Sequence, residues 1–173
     1  AIVIGAVGAV LAIVLVGFAI WIVGFFALGL WAIYRIVRGW LALKDRRAIA
    51  VKVGTVLEKS YELLLASQLV HWNVKGELFL PIHQLTEQHY EALFETLDIL
   101  AERMRALGTE VPTDGAAKSF SVSARLDGSS MVKMVDQLIA MHEDAAKGAR
   151  EVATFADEAD DPVTNDMMMD CLK

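Results

Sequence analysis

The chain has 173 residues, one cysteine, and 16 Lys and Arg against 22 Asp and Glu, a net charge of −6 with the histidines neutral. The single Cys171 excludes a disulfide framework or a thiolate metal site within one chain, and it fits a reducing compartment. Charge is unevenly placed: from Val51 onward 11 Lys and Arg stand against 21 Asp and Glu, a balance that repels nucleic acid phosphates and attracts cations.

Residues 1–34 carry no charge and consist almost wholly of aliphatic residues, Gly and aromatics. The run exceeds the roughly 20 residues that cross a bilayer and the apolar region of about 7–15 residues in a signal peptide. A transmembrane helix is expected, with the membrane met through residues about 12–34. Residues 1–43 make up the span and its basic flank. Arg35, Arg38, Lys44, Arg46 and Arg47, opposed only by Asp45, point that end to the cytoplasm. Trp31, Tyr34 and Trp40 then lie at the interface. A straight helix over the whole run would be about 51 Å long, against a hydrocarbon core of about 30 Å. Residues 1–13 are therefore surplus to one span, and one span or a tight hairpin both fit. The first residue is Ala, not Met, so a fragment, or an anchor joined to a foreign domain, also fits.

Residues 44–52 read as a linker, and 53–173 as one soluble domain. Val56, Leu57, Leu63, Leu64, Ser67 and Val70 keep helical spacing over 53–74, and Gly76 breaks that helix. Pro81 suits the first turn of a second helix, which runs to Leu107 and stops at Gly108. Residues 109–128 read as a loop that holds a short helix around Ser121 to Leu126. A third helix starts near Ser129 or Ser130 and runs to about Ala159. Asp161-Pro162 signals the cap and first turn of a fourth, which is short. No alternating β-branched run is present, so the fold is all-α. Two helix pairs with a long crossover predict a ferritin-like four-helix bundle with a shortened fourth helix, preceded by a transmembrane helix.

The chemistry-bearing residues are His71, His83, Asp98 and Glu102. Two imidazoles and two carboxylates suit Fe(II), Zn(II) or Mn(II), with iron leading. Asp98 and Glu102 are four apart and share one helix face. Three other features have plainer readings. His89, six residues after His83, points off that face as a surface or packing residue. His142-Glu143 reads as a core or interface polar pair. The run Asp157, Glu158, Asp160, Asp161 reads as a solvated helix end, with an iron-attracting vestibule as the sharper alternative.

The stretch from Tyr61 to Gly108 resembles the Dps mini-ferritins (DNA-binding proteins from starved cells). The resemblance is carried by His71-Trp72-Asn73-Val74, Gly76, Phe79, His83, Tyr90-Glu91, Asp98, Ala101-Glu102-Arg103 and Leu107-Gly108. The spacings of twelve, fifteen and four residues between His71, His83, Asp98 and Glu102 match that family's ferroxidase site, and weaker similarity continues to Lys173. The resemblance implies a site between two subunits, with His71 and His83 from one chain and Asp98 and Glu102 from the other. Glu87 then holds a site water or a second iron. Fe(II) is oxidised, preferably by hydrogen peroxide, for iron storage and protection from oxidative stress. Trp72 beside a ligand is an electron donor and radical trap on this reading, or a packing aromatic. A homo-oligomer is implied, at least a dimer, and a dodecamer where the anchor is absent or displaced. The soluble part has no Lys/Arg-rich tail, so no nucleic acid partner is expected.

The reading is thus a membrane-tethered ferroxidase with its domain in the cytoplasm, or a cytoplasmic one if the N-terminal segment is foreign to the domain. The alternatives are a non-catalytic accessory or structural subunit of a membrane complex, and a chimera of unrelated membrane and Dps-like pieces.

Overall fold

The computed structural model describes residues 2–111 and 126–172, with side chains from residue 15 onward. The described residues form four helices and no strand: α1 (Ile2–Asn73), α2 (Phe79–Ala106), α3 (Met131–Glu158) and α4 (Pro162–Asp170). They divide into two units, Ala1–Lys44 and Asp45–Lys173. Most of the short helix expected around Ser121 to Leu126 lies outside the described residues, and Leu126 itself is not helical.

The first unit is the apolar part of α1. One helix among the described residues is long and apolar enough, by length and composition, to cross a membrane, and it is this one. Phe18, Trp21 and Phe25 stack along it with centroids 6.3 and 5.9 Å apart. Arg35 lies over the Trp31 ring at 5.2 Å and Arg38 over Tyr34 at 5.9 Å, both one helical turn back.

The second unit is a four-helix bundle. Val56, Leu57, Leu63, Leu64, Ser67 and Val70 are all buried, as their periodicity predicts. Residues 44–52, expected as a linker, are helical, and Ile49 and Ala50 belong to the core. The reason is local: no Gly or Pro interrupts residues 40–53, so a change of composition there is not a change of backbone. Gly76, at φ +95°, turns the chain between α1 and α2, and Gly108, at φ +86°, ends α2.

One end of the core joins Leu63, Ala66, Val70 and Val74 of α1 to Met134 and Leu138 of α3. Further along, Lys59 Nζ meets the Asp144 carboxylate at 2.8 Å, and Lys52 Nζ lies 4.7 Å from the Phe155 ring centre. The pairing shows that α1 and α3 run antiparallel. Ser130 caps α3 by accepting from the Lys133 backbone N–H at 3.2 Å.

At the other end Asp161 caps α4, accepting from the Thr164 N–H at 3.1 Å and the Thr164 hydroxyl at 2.6 Å. Arg103 of α2 reaches the same carboxylate with both oxygens, at 2.7 and 2.8 Å, and its Nε donates to Thr164 Oγ1 at 2.9 Å. The two charged side chains are only 16% and 14% exposed. The solvated helix end read from the acidic run therefore fails for Asp161, which is a cap and an ion-pair partner held inside. Met168 is fully buried, Met167 is partly buried and Met169 is exposed, as three successive helical residues must divide.

Burial pushes the Asp161 carboxyl up, but the Thr164 and Arg103 hydrogen bonds outweigh it, leaving the group below its ordinary value of 3.8. A depressed folded-state pKa gives stability that is complete above the unfolded value and is lost as pH falls through the folded one. Urea unfolding of Asp161→Ala should show a loss of about 2–4 kcal/mol at neutral pH, from the cap and the stranded Arg103 together. The difference from the parent should shrink as pH drops below about 4.

Candidate metal centre

His71 lies in the last turn of α1, where the final carbonyls have no partner within the helix. His83 lies in the second turn of α2. The His83 Nδ1–H donates to the His71 carbonyl at 2.8 Å, and the His71 Nδ1–H donates to the His83 carbonyl at 2.9 Å. A carbonyl oxygen only accepts, so both Nδ1 atoms carry the proton. In the neutral rings both lone pairs then sit on Nε2. Metal-ligating histidines are held in this way, with the second ring nitrogen donating to a carbonyl.

The two imidazoles stack with centroids 3.7 Å apart and planes 16° from parallel. Phe79 stacks on His83 at 5.0 Å, and Tyr90 meets His71 edge-on at 5.4 Å. Loss of solvent, then the Glu87 and Glu91 carboxylates, push the Tyr90 phenol above its ordinary value of 10.0. It therefore stays protonated at neutral pH. Thr86, which is buried, donates to the carbonyls of Ile82 and His83 at 2.8 and 3.1 Å. Its part in bracing His83 has a faint sequence signal, a hydroxyl three residues after a histidine on a helix, and sequence reasoning missed it.

The carboxylates lie elsewhere. Glu87, Asp98 and Glu102 are exposed on α2, and no three His, Cys, Asp or Glu side chains converge among the described residues. His83 and Asp98 are fifteen residues apart on one helix, a rise of about 22 Å along its axis. Seen down that axis, His83, Glu87, Phe94, Asp98 and Glu102 fall within an arc of about 100°. Phe94, between the two ends of this face, is 70% exposed. Trp72, next to His71, is 66% exposed, so it is not a core packing residue in the single chain. His89 leaves this face and meets His142 of α3.

The ferritin-like domain matches residues 55–173. The chain therefore belongs to the ferritin-like domain family. It is 35% identical over 131 residues to a low temperature-induced protein of Nostoc sp., covering 72% of each chain. It is 28% identical over 131 residues to DNA protection during starvation protein 1 of Deinococcus radiodurans, covering 74% of this chain and 63% of that one. Among solved structures it is similar to a Dps protein from Bacillus brevis, with a TM-score of 0.68 and 27% identity over 75% of this chain and 88% of that one.

Where the rings are neutral, long-range ¹H–¹⁵N spectra of the metal-free protein should show His71 and His83 as Nδ1–H tautomers. A protonated Nε2 with bare Nδ1 on either ring would contradict the carbonyl bonds.

Proposed function

We propose that the protein is a ferroxidase of the mini-ferritin type, whose site forms between two copies of the chain. The observation that carries this reading is the placement of the four ligand types. His71 and His83 each offer one Nε2 lone pair at one end of the α2 face, side by side in a stacked pair and so suited to separate ions, and Asp98 and Glu102 stand about 22 Å further along it. A twofold axis crossing α2 near Tyr90 and Glu91 would bring the imidazoles of one protomer to the carboxylates of its partner, twice. Exposed Phe94 lies close to that axis and would be covered by the pairing.

Fe(II) is the substrate. The imidazoles hold it at neutral pH, and the carboxylates favour the Fe(III) product, whose higher charge they stabilise more. Hydrogen peroxide accepts one electron from each of two Fe(II) ions and two protons, giving two Fe(III) and two waters. Glu87, one turn after His83, is placed to hold a water or the second ion. Trp72 is placed beside the histidines to donate an electron to a stray oxidising species. The acidic domain draws cations toward the site.

Mixing variants tests the shared site. His71→Ala/His83→Ala and Asp98→Ala/Glu102→Ala chains should each lose at least about ten-fold in peroxide-dependent Fe(II) oxidation. Refolded together in equal amounts, they should regain about one quarter of the parent rate. Half of the pairs are then mixed, and each mixed pair has one intact site of two. No recovery on mixing would refute a site shared by subunits. Full activity in both variants would refute the ferroxidase reading and favour a structural subunit.

The membrane attachment is proposed on the uncharged residues 12–34 and the basic flank that follows them. The full chain should stay with membranes through an alkaline carbonate wash, with the bundle on the cytoplasmic side. A chain lacking residues 1–43 should remain in the supernatant. Equal partitioning of the two would remove the anchor from the reading.

A further inference from the structure

Three buried side-chain atoms among the described residues lack a hydrogen-bond partner: Ser67 Oγ, His89 Nδ1 and His142 Nε2. They come from α1, α2 and α3 respectively. Orphaned buried polar groups are costly, each by about 1–3 kcal/mol, and they call for an occupant.

The three lie at one height in the bundle. Antiparallel pairing of His71 with His83 sets Ser67 opposite the turn that leads to His89. The Lys59–Asp144 and Lys52–Phe155 pairs set Ser67 opposite residues about 136–140 of α3, about one turn from His142. Histidine side chains on α2 and α3 lean toward the N-termini of their helices, which closes that gap.

The His89 and His142 rings are 5.0 Å apart between centroids, with planes at 70°. Two imidazoles bound to one tetrahedral ion, with metal–nitrogen bonds of about 2.0–2.1 Å, have centroids about 5 Å apart. A neutral ring with its proton on the other nitrogen keeps a lone pair on the orphaned atom, Nδ1 of His89 and Nε2 of His142.

We propose that the bundle interior holds a second divalent-cation site, in which His89 Nδ1 and His142 Nε2 ligate a zinc-type ion and Ser67 Oγ hydrogen-bonds a water bound to it. Imidazole with water suits Zn²⁺. No cluster of three His, Cys, Asp or Glu side chains is present among the described residues, so the site lacks the carboxylates that would favour Fe(III). It is distinct from the site proposed at His71 and His83 and does not rest on the ferroxidase reading.

The test uses the full chain carrying His71→Ala and His83→Ala, which removes binding at that other imidazole pair. Saturating Zn²⁺ should raise its Tm by about 5 °C or more, with one ion bound per chain. Adding His89→Leu and His142→Leu should abolish that rise. In EDTA this variant should melt no lower than its parent, because the unpaired nitrogens are gone. A Zn²⁺ effect that is absent in the parent, or equal in the Leu variant, overturns the proposal and leaves buried water as the occupant. Should the Leu variant not fold, His142→Gln keeps a polar group and removes one ligand. Its Zn²⁺ affinity should fall at least ten-fold, and unchanged affinity overturns the site.

Discussion

The exchange of Nδ1–H bonds between His71 and His83 is the contact on which the functional end of the bundle depends. It joins the last turn of α1 to the start of α2 by the carbonyl groups themselves. In the same act it satisfies a helix-terminal carbonyl that would otherwise lack a partner and leaves Nε2 of both rings as the open donors. Thr86 and Phe79 brace His83, and Tyr90 stands edge-on to His71. The rings are thus held in place by backbone and packing, the kind of fixed support that the proposed metal site would need.

The fold was largely legible in the amino-acid order because helices announce themselves locally. Glycines ended α1 and α2, Asp161-Pro162 opened α4, and the buried face of α1 repeated at helical spacing. The linker was misread because composition changes at residues 44–52 while helix propensity does not. Asp161 was misread in part because its partner, Arg103, is distant in sequence: a local acidic run carries no sign that one of its members is taken inward.

The spacing of His71, His83, Asp98 and Glu102 suggested a ligand set, of which the structure brings His71 and His83 together within one chain and leaves Asp98 and Glu102 further along α2. The tautomers were invisible in that spacing, because they depend on carbonyls brought close by the turn at Gly76. The inward pairing of His89 with His142 was equally hidden. Periodicity correctly moved His89 off the ligand face, but which helix lies behind it is a property of the bundle and not of the segment.

Arg103 follows Glu102 directly, and its guanidinium is committed to Asp161 on the inner side of α2. The nearest cation in sequence therefore does not cancel the Glu102 carboxylate, and Asp98 one turn earlier keeps it company on the outer side. The lock that fastens the last helix thus turns the Arg103 charge inward and leaves the Asp98 and Glu102 carboxylates together on the outer flank of α2, where the next cation of the helix, Arg105, is itself engaged with Glu110.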